Sequence, residues 1–222
     1  MIMELNGKTI VALGDSLMYG AHLERNEPWL ALLGEAYQMQ AYNHGVSSTS
    51  VASSDITKAP AMWKRLRDEI TYDHVDYFVL EGGGNDRRHN VPLGENHDNL
   101  ADFGDVQGEI PTFKGAINYI INTVKTRWPG CRMLLMTNVK RKMKANDLGL
   151  TDEAYVNAMV EMAKFRGIPY IDNYHDIGVD FRTPRLAGCV TDYDWAALPD
   201  NHISAEGYRW LMPLYARKLM EL

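Results

Sequence analysis

The sequence predicts a three-layer α/β/α sandwich on a parallel sheet, and three observations point to it. Short apolar runs of strand length alternate with segments whose apolar residues recur every three or four positions. The 222 residues, 45% of them hydrophobic, are enough to bury a sizeable core. Three long polar stretches each follow an expected strand, as functional loops do in open parallel sheets. Strand and helix in alternation imply parallel strands with helices on both faces. No repeat, low-complexity tract or linker divides the chain, so residues 1–222 read as one domain.

The expected strands are 9–13, 40–43, 77–81, 133–137 and 168–172. Helical spacing relates Trp29, Leu30, Leu33 and Tyr37, then Trp63, Leu66 and Ile70, then Phe113, Ile117, Ile120 and Val124. It returns in Tyr155, Met159 and Met162, and in Tyr208, Leu211, Tyr215 and Leu219. These stripes read as core. Pro28 suits a first helical turn, and Thr151 and Ser204 suit N-caps. Pro213 lies inside the last helix and predicts a kink or break near Leu211.

A net charge of −6 supplies no basic field to gather phosphates, which argues against a nucleic-acid partner. No apolar run reaches the ~18 residues of a membrane span. The start, Met1-Ile2-Met3-Glu4-Leu5-Asn6, has neither a basic n-region nor an apolar h-region, so the chain as it stands reads as cytoplasmic. A signal peptide already removed would leave no trace. The two cysteines, Cys131 and Cys189, read as a buried thiol and a loop thiol, with a single bridge left open. A homo-oligomer also stays open.

The polar stretches run over 86–109, 139–150 and 173–201. The first holds Glu95, His97, Asp98, Asp102 and Asp105, in a spacing that matches no metal-ligand pattern, so it reads as a solvated loop and no metal is expected.

Gly14-Asp15-Ser16-Leu17 ends the first apolar run with a hydroxyl at the strand's tip. Alone, this is ordinary turn chemistry. A nucleophilic serine also needs a base and oxyanion donors. Of seven histidines, His202 stands just before a capped helix, with Asp200 close by. Asn85, after Gly82-Gly83-Gly84, offers an amide at the end of the third strand, and Gly45 can present its own N–H after the second.

The blocks Gly14-Asp15-Ser16-Leu17, Asn43-His44-Gly45-Val46-Ser47, Gly83-Gly84-Asn85-Asp86 and His202-Ile203-Ser204-Ala205-Glu206-Gly207-Tyr208 resemble, in order and approximate spacing, those of the SGNH hydrolases, or GDSL esterases/lipases. The resemblance spans 9–208. It implies a flavodoxin-like sandwich of five parallel strands, in agreement with the five runs counted above. It also implies Ser16 as nucleophile, His202 as base, and an oxyanion hole of Ser16 N–H, Gly45 N–H and the Asn85 amide, without a cofactor. One departure stands out: the family's Asp-x-x-His would need an acid at Pro199. Asp200 is the choice for orienting His202, with Asp194, Asp192 or a main-chain carbonyl as alternatives. Asp15 reads as a support for the turn.

The resemblance implies an ester hydrolase whose substrate is a small-molecule ester or an acylated carbohydrate. Phe103, Tyr174, Phe181, Tyr193 and Trp195 in polar loops suit a sugar ring, and an apolar lid is missing, so a short acyl group such as acetate is favoured. Arg87 and Arg88 read as surface arginines by default, with an acidic substrate group as the other option. A lysophospholipase or thioesterase, a non-catalytic carbohydrate-binding relative, and an FMN protein whose Gly14–Gly20 loop cradles phosphate are the competing readings. Asp15 would repel that phosphate.

Overall fold

The computed structural model describes residues 4–54, 60–104, 106, 108–140, 144–177 and 202–222. Five strands, β1 (Thr9–Gly14), β2 (Gln40–Gly45), β3 (Tyr77–Glu81), β4 (Arg132–Met136) and β5 (Tyr170–Ile171), form one all-parallel sheet in the order β2-β1-β3-β4-β5. The fold is the flavodoxin-like α/β/α sandwich of the SGNH hydrolases.

Period-two alternation in the central strands builds two cores at once. Val11, Leu13, Phe78, Leu80, Met133 and Leu135 face one core, covered by α3 (Met62–Asp68), α5 (Phe113–Arg127) and α6 (Asp152–Arg166). Ile10, Ala12, Tyr77, Val79, Leu134 and Met136 face the other, covered by α2 (Trp29–Tyr37) and α7 (Ala205–Met220). The two remaining helices, α1 (Ser16–Tyr19) and α4 (Gly84–Arg88), follow β1 and β3 directly. Each is too short to show a periodicity in sequence.

Both expected side-chain caps form: Thr151 accepts from Ala154 N, and Ser204 from Gly207 N. Pro28 sits one position earlier than expected, as the N-cap residue of α2. Pro213 does not break α7, which runs unbroken from Ala205 to Met220. The ring removes the N–H that would reach Arg209 O, but both residues lie on the exposed face, where water can satisfy that carbonyl. Leu211, Tyr215 and Leu219 bury the opposite face and hold the helix together.

The sheet order reverses between β1 and β3, which opens a crevice at their C-terminal ends. Register fixes what meets there. Gly14 pairs with Gly45, and Leu13 pairs with Leu80, so the turns after β1, β2 and β3 share one edge.

Candidate active site

The chain leaves β1 at Gly14 and enters α1 within two residues. Asp15, buried, is the N-cap, and its Oδ1 accepts from Leu17 N at 2.9 Å. A carboxylate thus occupies the Leu17 amide at the helix start, where a phosphate would bind, which disfavours the FMN reading. Ser16 is the first residue of α1, so its N–H has no acceptor within the helix. Its side chain is half-buried and its Oγ lies 2.8 Å from His202 Nε2.

His202 reaches Ser16 because α7 is tied to α1. Tyr208, on the first turn of α7, donates its hydroxyl to Leu17 O, and the pair is buried. Burial pushes the Tyr208 phenol well above its usual range, so the hydroxyl stays a donor. A serine hydroxyl against a buried imidazole, 186 residues apart in sequence, can pass its proton to Nε2 as it attacks a carbonyl.

Gly45 is the last residue of β2 rather than a residue beyond it. Any side chain here would collide with α1: a Cβ would lie 2.2 Å from Tyr19 N. Its N–H donates to Asn43 Oδ1 at 2.8 Å. Asn85 lies in α4, entered through Gly83 at a φ of 113°, and its Nδ2 donates to Asp15 Oδ2 at 3.0 Å and to Thr49 O at 3.1 Å. The structure therefore brings Ser16, Gly45, Asn85 and His202 to one edge, with the Gly45 and Asn85 donors already holding internal acceptors. Asp200, Asp194 and Asp192 lie outside the described residues, as do Cys189, Phe181, Tyr193 and Trp195.

Asp86, beside Asn85, is fully buried and accepts from Val51 N at 2.9 Å and Ala52 N at 3.0 Å. Burial, opposed by these two bonds and reinforced by the charge of Asp15, pushes its carboxyl up to about 7. Asn85 and Asp86 together clamp the loop that follows Gly45.

Arg87 fits neither reading made from sequence. It is buried, its Nε lies 2.6 Å from Asp152 Oδ1, and its guanidinium donates to Lys144 O at 2.8 Å. It fastens the loop after β4 to the start of α6, while Arg88 is exposed. In the acidic loop Glu95, His97 and Asp102 are exposed, as expected of a solvated loop, while Asp98 is half-buried; Asp105 lies outside the described residues. Asp98 Oδ2 accepts from Thr112 Oγ1 at 2.9 Å, and Asn118 of α5 donates to Asn96 O and Asp98 O at 2.9 and 2.8 Å. Cys131 is a free, half-buried thiol that burial and the charge of Asp76 push up to about 12, which removes it as a nucleophile at neutral pH.

Sequence reasoning passed over two residues near Ser16. Tyr19 ends α1 with 56% of its surface exposed, and His22, in the next turn, packs its ring edge-on against that of His202. A tyrosine at i+3 from the serine was the available signal for the first. Nothing local marked the second.

Comparison with known proteins bears on the fold and the family. A solved structure 29% identical to the chain superposes with a TM-score of 0.81 over 99% of each chain. An inhibitor-bound aryl esterase from M. smegmatis is 15% identical, with a TM-score of 0.68 over 97% of this chain and 100% of its own. A carbohydrate acetylesterase family member from Sinorhizobium meliloti is 17% identical, with a TM-score of 0.59 over 97% and 100%. At these two identities the likeness shows the fold alone. No curated protein matches the chain. No helix among the described residues is long and apolar enough to cross a membrane. The model of the GDSL-like lipase/acylhydrolase family matches residues 12–210, so nearly the whole chain belongs to that family and the protein is a serine ester hydrolase.

Proposed function

We propose that the protein removes short acyl groups, acetate foremost, from a carbohydrate or comparable small alcohol. The observation that carries the catalytic part is the 2.8 Å approach of His202 Nε2 to Ser16 Oγ. In this reading Oγ attacks the ester carbonyl while Nε2 takes its proton. The tetrahedral intermediate collapses as His202 returns that proton to the leaving alcohol, and an acyl-Ser16 ester remains. Water, deprotonated by His202, then attacks the acyl carbon, and the acid leaves as Ser16 recovers its proton. Asp200 is the proposed orienting acid for the imidazole.

Ser16 N–H, Gly45 N–H and the Asn85 amide are the proposed oxyanion donors. The internal acceptors on two of them make this selective for the transition state. A neutral ester carbonyl gains little by competing with Thr49 O for the Asn85 amide. A full oxyanion competes well, because bonds to a charged acceptor are about twice as strong. Asn85 can then exchange Thr49 for the oxyanion and keep its bond to Asp15, which binds the transition state in preference to the substrate.

Support for a short acyl group and a sugar comes from the polar loops at the strand ends, from exposed Tyr19 in the serine helix, and from likeness to a carbohydrate acetylesterase family member. The test is a panel of p-nitrophenyl esters of increasing chain length, run beside acetylated sugars. Acetyl or propionyl esters should be cleaved at least as well as any longer ester. A maximum at about eight carbons or beyond would move the substrate to lipids or thioesters, because such a preference requires an apolar pocket for the tail.

A further inference from the structure

We infer that His22 is a positioning residue for the base: its ring covers the buried imidazole of His202 and holds it in line with Ser16. This rests on the reading of Ser16 and His202 as the reacting pair. The two imidazole centroids are 5.2 Å apart with planes at 73°, the edge-to-face arrangement that aromatic rings prefer. His202 is 7% exposed and His22 is exposed, so the contact places an outer ring over an inner one.

The backbone carries His22 to this position along a short, stiff path. Ser16 O accepts from both Gly20 N and Ala21 N at 3.0 Å, so the turn hangs from the carbonyl of the residue whose hydroxyl His202 touches. Gly20 has a φ of 76° and Pro28 packed against it so tightly that a Cβ would lie 2.3 Å from Pro28 Cγ. His22 itself has a φ of 69°, in the left-handed region that few residues other than glycine enter. An unfavourable backbone conformation that places a ring on the base is the kind of local cost that functional sites retain. The contacts close a circuit from Ser16 O through Ala21 to the His22 ring, then to the His202 ring and back to Ser16 Oγ. Loss of the outer ring lets the imidazole sample orientations in which Nε2 no longer faces Oγ, which lowers turnover and leaves substrate binding alone.

Two substitutions separate ring from backbone. His22→Asn keeps a residue that tolerates the left-handed conformation but removes the ring, and His22→Phe keeps a ring without its nitrogens. With p-nitrophenyl acetate, His22→Asn should lower kcat about 3- to 10-fold with KM within about twofold, and His22→Phe should return kcat to within about twofold of wild type. Thermal unfolding should show both variants folded, as expected for an exposed turn residue. A wild-type kcat in His22→Asn, a loss confined to KM, or a phenylalanine variant as slow as the asparagine one would overturn the inference. Ser16→Ala is assayed alongside. Activity surviving there would defeat the reading of the site itself, whereas an inactive Ser16→Ala beside a fully active His22→Asn defeats the role of His22 alone.

Discussion

The Asn85 amide donates to Asp15 Oδ2 at 3.0 Å, and this one bond ties the turn after β3 to the turn after β1. Asp15 Oδ1 meanwhile caps α1 through Leu17 N, so a single buried carboxylate sets both the serine helix and the amide beside it. Asn85→Ala should lower kcat roughly 10²-fold with little change in KM, as expected of a donor used mainly in the transition state. Asp15→Ala should lower kcat about tenfold or more and also destabilise the fold by about 1–3 kcal/mol, since it removes a cap and leaves buried donors unpaired. Steady-state kinetics and urea unfolding of the two variants check both halves. A loss confined to KM in Asn85→Ala would remove that residue from the oxyanion site.

Asp86 gives stability an unusual pH dependence. Its folded carboxyl is raised to about 7, and the unfolded chain titrates near ~3.9, so the native state holds a proton that the unfolded state has lost between these values. The contribution is fully present below about pH 4 and is lost as pH rises through about 7. Asparagine does not titrate. The stability of wild type relative to Asp86→Asn should therefore fall between pH 4 and 8, by up to about 4 kcal/mol, when followed by urea unfolding at several pH values. A difference that stays flat or grows with pH would contradict the assigned ionisation.

What could be read from sequence followed the range of the interaction. β1, β3 and β4 were legible because continuous apolar runs mark strands buried on both faces, and α5 and α6 because fifteen residues hold several helical periods. Ser16, Gly45, Asn85 and His202 stood out as four blocks with the right order and spacing. Arg87 did not, because its partner Asp152 is distant in sequence and a charged residue after a turn reads as exposed. β5 is shorter than its apolar run: only Tyr170 and Ile171 pair with β4, opposite Leu135 and Met136. Pro213 misled because the rule concerns a lost hydrogen bond, and its cost depends on whether the orphaned carbonyl faces water. His22 was invisible because its contact joins two residues near opposite ends of the sequence.

The orienting acid is open to a simple ranking. Asp200→Asn should lower kcat by up to roughly 10⁴-fold, by analogy with the orienting acid of serine proteases, while Asp194→Asn and Asp192→Asn act mildly. Steady-state kinetics of the three variants supply the order. The reverse order would assign the role to an earlier residue, and near-normal activity in all three would leave a Ser16-His202 pair oriented by main chain.

The nucleophile itself is tested most directly by treating the protein with a fluorophosphonate and mapping the adduct by peptide mass spectrometry. Ser16, with its hydroxyl 2.8 Å from His202 Nε2, should carry one phosphonyl group as esterase activity disappears, and Ser16→Ala should take up none. An adduct on any other residue, or esterase activity that persists in labelled protein, would contradict a serine mechanism at this site.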